Sequence, residues 1–173
     1  MKSRKSISFE SPSGNCTMPP ELVEAFALAV VRHNGRALLI DSSNRGLGWV
    51  PIAEAVSHCF AVEPAPDVLP GDFDHFDGED RATALASDLA ACGLHAVVVA
   101  SGRPGHTHLF ARIADAALLD RFKMRARALG GHIPNAIRPP GAAHRLGLPV
   151  RLIDPTDPQE ALRVLRALPP ATR

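Results

Sequence analysis

A chain of 173 residues, 46% of them hydrophobic, can bury one substantial core, and one globular domain is expected. A net charge of +1 points by itself to no partner, and no apolar run reaches the roughly 20 residues that span a bilayer. The odd cysteine set, Cys16, Cys59 and Cys92, has no metal-ligand spacing and predicts no disulfide, which suits a soluble cytoplasmic protein with no membrane partner.

Residues 1–19, rich in Ser, Pro, Gly and Asn, read as a disordered leader without an apolar signal core, so the domain is expected over 20–173. Val23, Phe26, Ala27 and Val30 recur at helical spacing and predict a helix from Glu21 to His33. Arg36 to Asp41 reads as a strand, Asp41 to Gly48 as a loop followed by Trp49, and Ile52 to Phe60 as a short amphipathic helix. Pro64, Pro66 and Pro70 then interrupt the chain. A helix from Gly78 to Cys92 should be capped by Asp77 and bury Ala82, Leu85 and Leu89. After the strand at Val97, a helix capped by Asp115 should bury Leu118, Phe122, Ala126 and Leu129 and close at Gly130-Gly131. Ala136 to Arg138 and Val150 to Ile153 read as short strands, and Asp157-Pro158 opens a last helix. The tight hairpin at the centre predicts an α+β fold with a mixed or antiparallel sheet flanked by helices.

That hairpin organises the chain. Val97-Val98-Val99 is a β-branched strand, Ser101-Gly102-Arg103-Pro104-Gly105 a turn cluster, and His106 to Ile113 the returning strand. Alternation puts His106, His108, Phe110 and Arg112 on one face and Thr107, Leu109, Ala111 and Ile113 on the core face. The turn's backbone N–H groups, freed by glycine, could cradle a phosphate.

Charge is segregated along the chain. Gly46 to Asp80 contains acidic residues and no Lys or Arg, whereas Arg121 to Ile153 contains basic residues and no Asp or Glu. The first region suits divalent cations and the second phosphates, against the ordinary alternative of solvated charged faces. In an extended segment, Asp72 and Asp74 project to one side, as two hard oxygen ligands for Mg²⁺ or Mn²⁺ would. A calcium loop starting at Asp72 fails, because its twelfth position is Thr83 rather than Glu.

The order of these features resembles the archaeo-eukaryotic primase superfamily, and within it the bifunctional primase-polymerase domains of plasmids, phages and actinobacterial mobile elements. The resemblance rests on Asp72-x-Asp74, the Ser101 to Phe110 motif, and Ile137-Arg138-Pro139-Pro140-Gly141 leading to His144-Arg145, over Trp49 to Pro155. It implies a metal-dependent nucleotidyl transferase, a DNA primase or polymerase acting on single-stranded DNA with nucleoside triphosphates, alongside a separate helicase. Asp72 and Asp74 would then be catalytic and bind Mg²⁺ or Mn²⁺. Ser101, Gly102, Arg103, Gly105, His106, His108 and Arg138 would hold the nucleotide, and His144, Arg145, Arg125 and Arg127 the nucleic acid.

The chain also departs from the pattern. Where the family carries a third Asp before Arg-Pro-Pro, this sequence has His132 and Asn135, so Asn135 is the candidate third metal ligand and Asp154 its substitute. One extra residue separates Gly105 from His108, which leaves either His106 or His108 as the functional imidazole. The alternative is a catalytically inactive superfamily member that acts as a nucleic-acid-binding replication module. His106-Thr107-His108 also fits a His-x-His initiator nuclease, but such an enzyme needs a tyrosine nucleophile and the chain has no tyrosine.

Overall fold

A computed structural model describes residues 18–32 and 34–167; most of the expected leader, and His33, lie outside them. The observed class is α+β, and the described residues form five helices and two antiparallel sheets.

Helix α1 (Pro20–Val30) leads into strand β1 (Arg36–Ile40), which pairs with β2 (Gly46–Pro51) and, across its other edge, with β3 (Phe60–Ala61). The short helix α2 (Ile52–Ala55) joins β2 to β3. A second sheet has the order β4-β6-β5-β7, with β4 at Val68–Phe73, β5 at Ala96–Ala100, β6 at Thr107–Arg112 and β7 at Arg151–Asp154. Helices α3 (Gly78–Ala91) and α4 (Ala116–Ala128) cover one face of it, and α1, α5 (Pro158–Arg166) and the smaller sheet cover the other.

Each face therefore has its own core. Val97, Val99, Phe110 and Leu152 pack toward α1 and α5, whereas Leu69, Phe73, Val98, Leu109 and Ala111 pack toward α3 and α4. This corrects the expectation of one core face on β6. Phe110, on the His face, is as deeply buried as Leu109, because a sheet covered on both sides has no solvent side. Only the end of that face nearest the turn opens into a cleft, at His106 and His108.

Several expected boundaries shift because tertiary pairing competes with local propensity. Helix α1 stops at Val30 rather than His33, since Val31 bridges Pro64 and the Arg32 amide donates to the Glu63 carbonyl at 2.9 Å. The expected loop over Asp41–Gly48 is shorter: the Asp41 carboxylate accepts from the amides of Ser43 and Arg45, both at 2.9 Å, and the chain re-enters a strand at Gly46. Helix α2 ends at Ala55, and Phe60 is already strand.

Pro70 sits inside β4, opposite Phe110, and is tolerated because β4 is an edge strand. Asp77 occupies the N-cap position of α3 without capping it, its carboxylate instead meeting Arg81 Nε at 2.7 Å. Asp115 and Asp157 do cap their helices, Asp115 accepting from the Leu118 amide at 2.8 Å. In α4 the buried set is Leu119, Phe122 and Ala126, with Leu118 and Leu129 at its margin. Residues 136–138 form no strand; Ile137 makes only an isolated bridge to Val62, hemmed in by Pro134, Pro139 and Pro140.

Arg112 locks the layers together. Its guanidinium pairs with Asp67 and donates to the carbonyls of Leu165, at 2.9 Å, and Ala29, at 2.5 Å, so one side chain ties β6 to the ends of α5 and α1. Arg112→Met leaves those acceptors without donors and should cost about 2 to 4 kcal/mol in urea unfolding. The exposed Arg32–Glu63 pair is the control, and Arg32→Met should cost no more than about 1 kcal/mol.

Candidate functional site

The β4–β6 register places Asp72 directly opposite His108. Across the other edge of β4, the Asp72 amide donates to the His132 carbonyl at 3.0 Å and the His132 amide returns the bond at 2.8 Å. Farther along, Val62 and Ile137 exchange amide bonds of 2.9 and 3.0 Å. The irregular stretch 132–138 is thus stitched between the two sheets, and between them lies a cleft of about 440 Å³.

Two carboxylates line the cleft. Asp74 pairs with His106 Nδ1 at 2.7 Å. Asp72 has His108 Nε2 3.6 Å from Oδ1 and His132 Nδ1 3.5 Å from Oδ2. The same lining is also cationic: Arg103, Arg138 and Arg145 all contribute to it, with His144 among them. Arg138 donates to the Ser101 carbonyl at 2.7 Å, and Arg145 to the Ser42 carbonyl at 2.5 Å, which draws the β1–β2 turn over the cleft. The Arg103 guanidinium makes no hydrogen bond or ion pair among the described residues.

The turn between β5 and β6 is held by its own bonds, Ser101 amide to His106 carbonyl at 2.9 Å and His106 amide to Arg103 carbonyl at 3.1 Å. Only part of the expected amide cradle remains; the Gly102 and Arg103 amides donate to no protein group among the described residues. Gly102 (φ +109°) lies against the His144 ring, where a Cβ would come within 3.0 Å. At Gly105 (φ +78°) a Cβ would fall 2.3 Å from the Phe76 carbonyl. These two glycines let the turn seat against His144 and against the loop that follows Asp74, which brings His106 to Asp74.

Burial raises the Asp72 carboxyl to about 6, and the neighbouring Asp74 carboxylate adds to the effect. Burial, aided by the Arg138 charge, lowers the His108 imidazole to about 3, and burial with Arg138, Arg145 and Arg103 lowers His144 to about 4. Both imidazoles are neutral at pH 7. In His108, Nδ1 faces the Arg138 carbonyl at 3.3 Å and must carry the hydrogen, which leaves Nε2 as a lone pair aimed at Asp72. Asp72 Oδ1 is itself buried without a hydrogen-bond partner. Two acceptors therefore face each other, an arrangement that a proton or a cation between them would relieve. Burial also pushes the Cys59 thiol up, so it lines the cleft as a neutral group.

The cleft gathers most of the residues singled out in the sequence: Asp72, Asp74, Ser101, Arg103, His106, His108, Asn135, Arg138, His144 and Arg145. It does not gather Arg125 or Arg127. They lie on α4, where Arg125 pairs with Asp88 at 2.7 Å, so this part of the basic run braces α4 against α3. The acidic run divides likewise, Asp67, Asp77 and Glu79 pairing with Arg112, Arg81 and Arg151. Asp154, opposite Val98 in β7, does not line the cleft, whereas Asn135 does. Asn44 and Cys59 line it unannounced by any motif; the Asp-Ser-Ser-Asn turn was the only local signal for the first.

No group of three or more His, Cys, Asp or Glu side chains is arranged to hold a metal ion among the described residues. Comparison of the chain with family models, curated proteins and solved structures finds no match.

Between pH 4.5 and 5.5 the buried groups act on stability in opposite senses. Asp72, raised to about 6, is protonated only in the folded state, so its contribution is present at low pH and lost as pH rises through about 6. His108 and His144, lowered to about 3 and 4, are protonated only in the unfolded state, so their contribution is present at neutral pH and lost as pH falls. Together the unfolded state binds one more proton, and stability should rise by about 1.4 kcal/mol per pH unit from these groups. Asp72→Asn removes the opposing proton and should steepen that slope to about 2.7 kcal/mol per pH unit in urea titrations across this interval.

Proposed function

We propose that the cleft binds a nucleoside triphosphate and transfers its nucleotide to the 3′-hydroxyl of a strand paired to single-stranded DNA, breaking the α–β phosphoanhydride bond and releasing pyrophosphate, as the primase-polymerase resemblance implies. The observation that carries this reading is the mixed charge of one lining, which brings Asp72 and Asp74 together with Arg103, Arg138 and Arg145. Its volume of about 440 Å³ lies in the range of small-molecule sites.

The residues suit a divalent cation, since Asp72 presents a buried oxygen without a donor and Asp74 adds a second carboxylate beside it. When bound with a triphosphate, Mg²⁺ or Mn²⁺ would activate the attacking hydroxyl and offset charge on the phosphates. With no third acidic ligand among the described residues, the triphosphate itself would complete the metal's coordination. The Arg103 guanidinium, without a partner among the described residues, would meet the outer phosphates, with the free Gly102 and Arg103 amides beside it. Arg138, anchored on the Ser101 carbonyl, would oppose charge developing at the α-phosphate. His106, paired with Asp74, would orient that carboxylate, and neutral His108 would back Asp72.

A specific observation favours a second reading, a catalytically inactive nucleic-acid-binding module: Asn135 lines the cleft where the resemblance calls for a carboxylate. The two readings separate in one experiment, incorporation of labelled nucleotide opposite a single-stranded DNA template in Mg²⁺ or Mn²⁺. The enzyme reading expects incorporation that Asp72→Asn or Arg138→Ala lowers about 10²-fold or more and Asn135→Asp raises. If wild type and Asn135→Asp are both silent while DNA still binds, the module reading replaces it.

A further inference from the structure

We propose that a second cavity, beside the cleft, is a stacking site for an unpaired base of single-stranded DNA, with Trp49 as the stacking surface. This rests on the nucleotidyl-transfer reading, because the strand concerned is the one that enters the cleft.

The cavity measures about 530 Å³ and shares Pro134, Asn135 and Ala136 with the cleft, so a strand leaving one meets the other along a common wall. Its lining brings the Trp49 ring together with Pro64, Pro66, Pro70 and Ile133. Trp49 is the chain's only tryptophan and is 42% exposed on the edge strand β2, where it shares a face with exposed Leu47. Its indole makes no ring or cation contact among the described residues. A large aromatic ring left half in water is costly to expose and available for a planar partner.

Charge selects the partner. Arg36 donates to the Trp49 carbonyl at 2.6 Å and has no carboxylate partner among the described residues, while Lys123, which lines the cavity, pairs with Asp120 at 3.1 Å. The acidic lining residue, Glu63, is held by Arg32 at 2.7 Å. With those pairs neutralised the Arg36 charge is left beside Trp49, and a cation next to an exposed aromatic side chain matches a strand that carries planar bases on an anionic backbone.

The single tryptophan makes the test direct. A fluorescein-labelled oligodeoxythymidylate, followed by anisotropy, reports binding, and Trp49 emission with the unlabelled strand reports stacking. The expected result is binding with quenched emission, about ten-fold weaker in Trp49→Ala and largely restored in Trp49→Phe. Binding with emission and affinity unchanged, or no binding at all, overturns the proposal. Binding of a fluorescent nucleoside triphosphate, with Arg138→Ala as its control, reports on the cleft separately. Its loss while Trp49 quenching persists would sink the nucleotidyl-transfer reading and leave a strand-binding surface.

Discussion

Everything in this structure depends on the register of β6 in a sheet buried on both faces. Leu109 and Ala111 must face α3 and α4, while Phe110 must face α1 and α5, so a slip of one residue would exchange two cores of different shape. The same register fixes Asp72 opposite His108, and the turn that precedes β6 sets His106 beside Asp74. Titratable side chains thus occupy the open end of a strand whose other positions are committed to packing.

The cleft is an electrostatic compromise. Asp72, His108 and Arg138 are all withdrawn from water, and burial shifts each toward its neutral form. Arg138 is kept charged by the Asp72 and Asp74 carboxylates near it and by its bond to the Ser101 carbonyl. His108 escapes the penalty by staying neutral, and Asp72 retains a buried oxygen that no protein donor satisfies. A core built only for stability would have no reason to keep that oxygen unpaired, which is why the cleft reads as a site for a charged ligand.

The legible part of the site was local. Asp72-x-Asp74 and the Ser101 to His108 turn announced themselves through spacing and glycine content, and a strand–turn–strand segment delivers such residues wherever it goes. The charge runs were legible only in part. Arg125 and Asp67 belong to the same runs as Arg138 and Asp72, yet the first two are spent on ion pairs that join elements. A one-dimensional count of charge cannot tell a brace from a ligand, because the difference is the distance to an opposite charge far along the chain. Asn44 and Cys59 come from the smaller sheet and enter the cleft only because residues 132–138 tie that sheet to β4.

By itself the sequence determined the α+β class, the central hairpin, the caps at Asp115 and Asp157 and the pairing of carboxylates with a glycine turn. These follow from periodicity, capping and backbone freedom, which act within a few residues. Tertiary structure decided where α1 ends, how Pro70 is tolerated in a strand, which half of each charge run faces the cleft and why Trp49 stands beside it. Each of those turns on pairing between segments distant in the chain: Val31 with Pro64, β4 at a sheet edge, Arg112 with Asp67, and His132 with Asp72. Such contacts carry no local signature, since their free energy comes from desolvation and hydrogen bonding that exist only once the chain has folded.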